Sequence, residues 1–167
     1  SLAFTTAPDF ENPLDGGAGN TYVVYVTISD GTNTGSMVQY TISVTDKSEF
    51  TIGATTDSNT ASNTVSEGAS DNAEVGITAT ATDDDDGDSV TYTMQTTTTD
   101  CDGWFDIGSS DGIVRVDGSS ELDYETVTAC VISVTSTSTD TSTSTEDFTI
   151  TLTDVNEHAV TSPTDTD

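Results

Sequence analysis

Hydrophobic residues in this chain recur at every second position, not at the three-to-four spacing of a helix. Tyr22-Val23-Val24-Tyr25-Val26-Thr27-Ile28 is a β-branched and aromatic run, and Val38-Gln39-Tyr40-Thr41-Ile42-Ser43-Val44-Thr45 alternates apolar with polar. Both predict strands. The same pattern predicts strands at residues 2–5, 73–82, 89–97, 104–107, 112–116, 126–136 and 147–154. Pro8, Pro13, the glycines of residues 15–19 and Asp30-Gly31 break the early part into strand, loop, strand, turn, strand. Residues 46–49 form a short polar hinge, and residues 50–63 are weakly structured. Residues 96–100 and 135–145 are Thr/Ser-rich and predict mobile polar loops. No segment has a helical period. The turn spacing is that of an all-β sandwich.

Parts of the pattern occur twice. Asp9-Phe10-Glu11 returns as Asp123-Tyr124-Glu125, positions 9 and 123 being 114 apart. Tyr40-Thr41-Ile42-Ser43-Val44-Thr45-Asp46 returns as Phe148-Thr149-Ile150-Thr151-Leu152-Thr153-Asp154, positions 46 and 154 being 108 apart. Val24-Tyr25-Val26-Thr27-Ile28 returns as Cys130-Val131-Ile132-Ser133-Val134. A unit of about 110 residues follows. The chain then begins inside one unit, holds one complete unit, and stops as a third would start.

Charge changes the picture most. Asp and Glu number 30 against 2 Lys and Arg, for a formal net charge of −28. Phosphate binding needs a basic surface, so nucleic acid is excluded as a partner, and an anionic membrane is disfavoured for the same reason. No apolar run reaches the ~20 residues of a spanning helix, so membrane insertion is not expected. No charged-then-apolar leader precedes Ser1, so a signal peptide is expected to have been removed or never to have been part of the chain. Hydrophobics make up only 32%, which predicts a thin core; disorder is the competing reading. Cys101 and Cys130 predict one disulfide in an oxidising compartment, against the alternative of two unrelated buried thiols.

Candidate chemistry centres on residues 83–88, which read Asp-Asp-Asp-Asp-Gly-Asp. Consecutive carboxylates repel unless solvated or bound to a cation. Neither Lys47 nor Arg115 lies nearby in sequence, so the candidate counter-charge is Ca²⁺, which takes six to eight oxygens in flexible geometry. An EF-hand does not fit. With Gly87 at the sixth loop position, Thr82 and Thr93 would occupy the first and twelfth, where carboxylates belong. Asp9/Glu11 or Asp123/Glu125 could be read as a hydrolase pair, but nothing supplies an apolar pocket to raise one pKa. The one His, His158, cannot build a zinc site alone. Trp104 reads as a core residue before it reads as a sugar platform. No Asn-x-Ser/Thr sequon occurs, and the Thr/Ser tracts are candidates for O-linked glycan.

Several motifs follow one another: Glu67 after Val65, Asp83-Asp84-Asp85, Phe105-Asp106-Ile107 with Gly112-Ile113-Val114, Leu122-Asp123-Tyr124-Glu125, and Asp154-Val155-Asn156-Glu157. In this order they resemble the cadherin repeat in its bacterial or environmental form. The resemblance implies an all-β, seven-stranded Greek-key sandwich (cadherin/Ig-like) over residues 50–157. An incomplete three-stranded half repeat with its linker would occupy 1–49, and 158–167 would be a tail like the first strand of a next repeat. It implies Ca²⁺ at the junction, held by Asp9, Glu11, Asp46, Ser48, Glu49, Asp83 and Asp85, with backbone oxygen at Lys47. A partial second set would be Glu67, Asp123, Glu125, Asp154, Asn156 and Glu157. Ser48 and Glu49 replace the family's Asn and Asp and Lys47 intrudes, so one or two ions are expected. The implied function is a non-enzymatic, extracellular or cell-surface structural or adhesive protein rigidified by Ca²⁺. Its expected partners are neighbouring repeats or other copies of itself, head to tail in a filament whose neighbour completes the half repeat. Glycans form a further partner class, and a carbohydrate-binding or adhesion module excised from a larger surface protein is the alternative.

Overall fold

The computed structural model describes residues 1–117, 122–157 and 160. It divides into two compact units, one formed by Ser1–Thr51 with Asp84–Asp88, the other by Ile52–Asp83 with Ser89–Asp167. The expected tail at 158–167, His158 included, lies outside the described residues apart from Val160.

In the first unit, β1 (Thr21–Val26) and β2 (Val38–Ser43) pair antiparallel, from Thr21 opposite Ser43 to Val26 opposite Val38. Tyr22, Val24, Tyr40 and Ile42 share one face, half-buried except at Tyr40, while Val23 and Tyr25 are exposed on the other. Residues 2–5 were expected to form a third strand and do not. They find no ladder partner, and Phe4 instead sets its ring edge-on to Tyr22 at 5.2 Å. A strand exists only through its neighbour's hydrogen bonds, which alternation alone cannot reveal.

The second unit is a two-layer β-sandwich. Its strands are β3 (Thr56–Asp57), β4 (Thr64–Ser66), β5 (Glu74–Thr80), β6 (Val90–Thr96), β7 (Phe105–Ile107), β8 (Ile113–Val116), β9 (Ala129–Ser138) and β10 (Thr143–Thr153). One sheet runs β4-β10-β9-β6 and the other β3-β5-β8-β7. β4 lies parallel to β10, the other pairs being antiparallel. The chain crosses between sheets at β3–β4, β4–β5, β5–β6, β6–β7 and β8–β9, in keeping with the Greek-key wiring that the resemblance implied. Eight segments stand where seven strands were expected, because β3 and β4 divide the opening stretch between both sheets. Two and three residues are too short to show a period.

Alternation builds the core. Val75, Ile77 and Ala79 of β5, Val114 and Val116 of β8, and Cys130, Ile132 and Val134 of β9 all point inward, with Ile150 and Leu152 of β10. Burying each large aliphatic contributes roughly 1.5–3 kcal/mol. β9 alternates half-buried and buried along its full ten residues. Residues 135–145 are therefore not a loop, as expected, but the ends of β9 and β10 around a short turn. Their inward serines are satisfied. The Thr55 hydroxyl bonds Ser136 Oγ at 2.8 Å, and the Thr55 N–H donates to Ser144 Oγ at 2.9 Å. A polar strand can face a core when every inward hydroxyl has a partner. In β5, Gly76 sits at φ +86° beside a register shift, and a Cβ there would overlap the Ser62 carbonyl. Cys101, at the end of a short turn (Thr99–Cys101), is disulfide-bonded to Cys130 of β9, the pairing that was expected.

Candidate metal centre

Four carboxylates of the first unit converge. Glu11, Asp46, Glu49 and Asp85 each offer an oxygen, all within 4.8 Å of one another. Local structure places each. Asn20 donates its side-chain N–H to the Phe10 carbonyl at 2.8 Å, which anchors the bend carrying Glu11 to the start of β1. Asp46 and Glu49 stand on the linker after β2. Asp85 is 4% exposed, and its two oxygens accept the N–H groups of Glu49 at 3.1 Å and Phe50 at 3.0 Å. The linker backbone is thus folded around a carboxylate, which also lies beside three others.

The electrostatics are unbalanced. Burial, and after it the charge of Asp46, push the Glu11 pKa above its ordinary value, against the N–H groups of Glu11 and Asp86. Glu11 Oε1 is buried and no donor reaches it. Among the described residues both ion pairs belong to Arg115, which holds Asp111 at 2.9 Å and Glu74 at 3.9 Å. Neither partner of Arg115 belongs to this cluster. A hard, oxygen-seeking dication fits the donor set.

The second unit gathers Glu67, Glu125, Asp154 and Glu157 within the same 4.8 Å limit. Glu67, 9% exposed, accepts the Tyr124 N–H at 2.6 Å and the Val155 N–H. Those bonds, Val155's first, hold its carboxyl below the usual carboxylate range. Glu67 is therefore a strut between two segments as much as a candidate ligand. Glu125, Asp154 and Glu157 are exposed.

Neither of these two groups includes Asp9, Asp83 or Asp123. Asp9 turns back on its own bend and accepts the Asn12 N–H at 3.0 Å. Asp123 does the same with the Thr126 N–H at 2.8 Å and its hydroxyl at 2.7 Å, which lowers its pKa. Ser48 and Asn156 are exposed, and Asp83 is half-buried in the second unit. The backbone donors at Glu49, Phe50, Tyr124 and Val155 are not readable from residue types, since amides carry no residue signature. Trp104 is 8% exposed and belongs to the core cluster, so it offers no sugar platform.

No family model matches the sequence, and no curated protein matches it. Solved structures do match. Repeats 1–2 of human mucin-like protocadherin align over 90% of this chain and 72% of theirs, at 19% identity and a TM-score of 0.61. Repeats 1–3 of a mouse clustered protocadherin cover 86% of this chain and 46% of theirs, at 18% identity and 0.62. Domains 1–5 of protocadherin gamma B2 cover 87% and 28%, at 22% and 0.59. The chain thus spans less than half the length of the last two. At such identities the likeness is one of fold: the chain has the fold of cadherin extracellular repeats.

Proposed function

We propose that this chain is a non-enzymatic, extracellular or cell-surface protein of structural and adhesive function, stiffened by Ca²⁺. One observation carries the reading: Glu11, Asp46, Glu49 and Asp85 meet within 4.8 Å with a buried, undonated oxygen on Glu11. Those four side chains would hold the ion, whose positive charge would offset theirs. Asp85 stands on a loop whose flanking residues, Asp83 and Ser89, belong to the second unit. A cation shared by Asp85 and the linker carboxylates would therefore fasten that loop to the linker. Residues 1–49 then act as the later part of one repeat with its linker, and 50–157 as a complete repeat. The Glu67, Glu125, Asp154 and Glu157 group would be the matching half-site toward a following repeat. Among the described residues no helix is long and apolar enough to cross a membrane.

The first unit supports the head-to-tail filament. None of residues 1–51 is buried. Its exposed apolar sheet is suited to strands from a neighbouring copy.

Small-angle scattering with and without a chelator tests the Ca²⁺ reading. Chelation is expected to shorten the particle and broaden its length distribution, and Asp85→Asn to weaken Ca²⁺ binding at least tenfold by calorimetry. An unchanged particle, or wild-type affinity in Asp85→Asn, would sink it.

A further inference from the structure

The two outer faces of the sandwich differ in a way the Ca²⁺ reading does not use. On the β3-β5-β8-β7 sheet, Glu74, Arg115 and Asp106 lie in one cross-strand row, and Asp111 pairs with Arg115. On the other sheet, odd-numbered positions of β9, β10 and β6 point outward, because the even ones of β9 are buried and the register keeps parity. Two full rows of that face are threonine: Thr91–Thr137–Thr143 and Thr93–Thr135–Thr145. Among the outward positions of these three strands only Asp147 is charged.

Several of these hydroxyls are turned inward on the protein. Thr135 and Thr145 share a hydrogen bond of 2.9 Å, and Thr91 donates to the Thr137 carbonyl at 3.3 Å. What such threonines leave for a partner is largely methyl. A regular, uncharged, methyl-bearing face is conspicuous on a chain of net charge −28.

We propose that this face is a lateral contact between two copies of the chain. Two surfaces this acidic repel almost everywhere. They can approach where neither carries carboxylates, and the two Thr rows are such a place. Stacked sheets lie ~10 Å apart, and neutral, short side chains suit that spacing. The face measures about 350 Å² from strand spacing and rise. A stable interface takes about 800 Å² per partner. The contact is therefore weak for one pair and gains strength when displayed many times along a filament, which rests on the head-to-tail reading above. The association strengthens with salt, because screening removes the surrounding repulsion.

Cysteine cross-linking tests it on the full chain. Thr145→Cys, treated with a short bis-maleimide at raised NaCl, should give several-fold more covalent dimer than Thr56→Cys on the opposite sheet. Adding Thr93→Glu to Thr145→Cys should remove the excess, with an unchanged melting temperature showing that the fold survives. This readout is independent of the chelator experiment, so either can fail alone. Equal dimer from Thr145→Cys and Thr56→Cys, or dimer indifferent to Thr93→Glu, would overturn the proposal. So would retention of the unvaried chain on a polysaccharide resin that Thr93→Glu abolishes, since the face would then serve sugar.

Discussion

Asp111 shows how far one exposed carboxylate can be read. The Arg115 guanidinium, and after it the Ile113 N–H, hold its pKa below the ordinary 3.8. A carboxyl depressed in the folded state contributes stability that is complete above its unfolded value and fades as pH falls through its folded one. Asp111→Asn should therefore melt below the wild type at pH 6, and the gap should close well under pH 3.8. Thermal melts of both proteins across that range check this; a constant gap would show the pair carries no pH-linked stability. At the same scale, the acidic group of the first unit was partly legible. Repeat matching named Glu11, Asp46, Glu49 and Asp85. It also named Asp9 and Asp123. Both sit instead on bends where an Asp binds the N–H three residues on, a local competition that spacing cannot show.

Elements were legible where a strand is long and one face apolar. β1, β2, β5, β6 and β8 fell close to their expected positions. β9 and β10 extended beyond theirs, because Ser136 and Ser138 occupy inward positions that composition reads as loop. The Thr55 hydroxyl gives the buried Ser136 hydroxyl its partner. The disulfide ties this same strand to the turn Thr99–Cys101. It closes a separation of 29 residues, worth about 3–4 kcal/mol on the chain-entropy account. Cys101→Ala with Cys130→Ala should lower unfolding free energy by about that much, plus a packing loss, since both are fully buried. Urea titration measures it. A loss under about 1 kcal/mol would mean the sandwich topology already restrains the unfolded chain there.

At the scale of the whole molecule, the two units differ in how they are held. Among the described residues the second has a core cluster of 16 buried side chains. The first leaves Tyr22, Val24 and Ile42 beside an apolar cleft of about 450 Å³ that Leu2 and Phe4 only partly fill. Two paired strands are marginal in water unless something covers their apolar face. Strands from a neighbouring copy would bury Val24 and Ile42 as β9 and β10 bury Ile132 and Ile150. Val24→Asp should then abolish filaments in electron micrographs and leave monomers in sedimentation, while the second unit's urea midpoint stays fixed. The carboxylate acts only if that face is covered, because an exposed Asp on an already acidic surface costs little. Val24→Asp filaments as long as those of the wild type would show that the cleft is not where copies join.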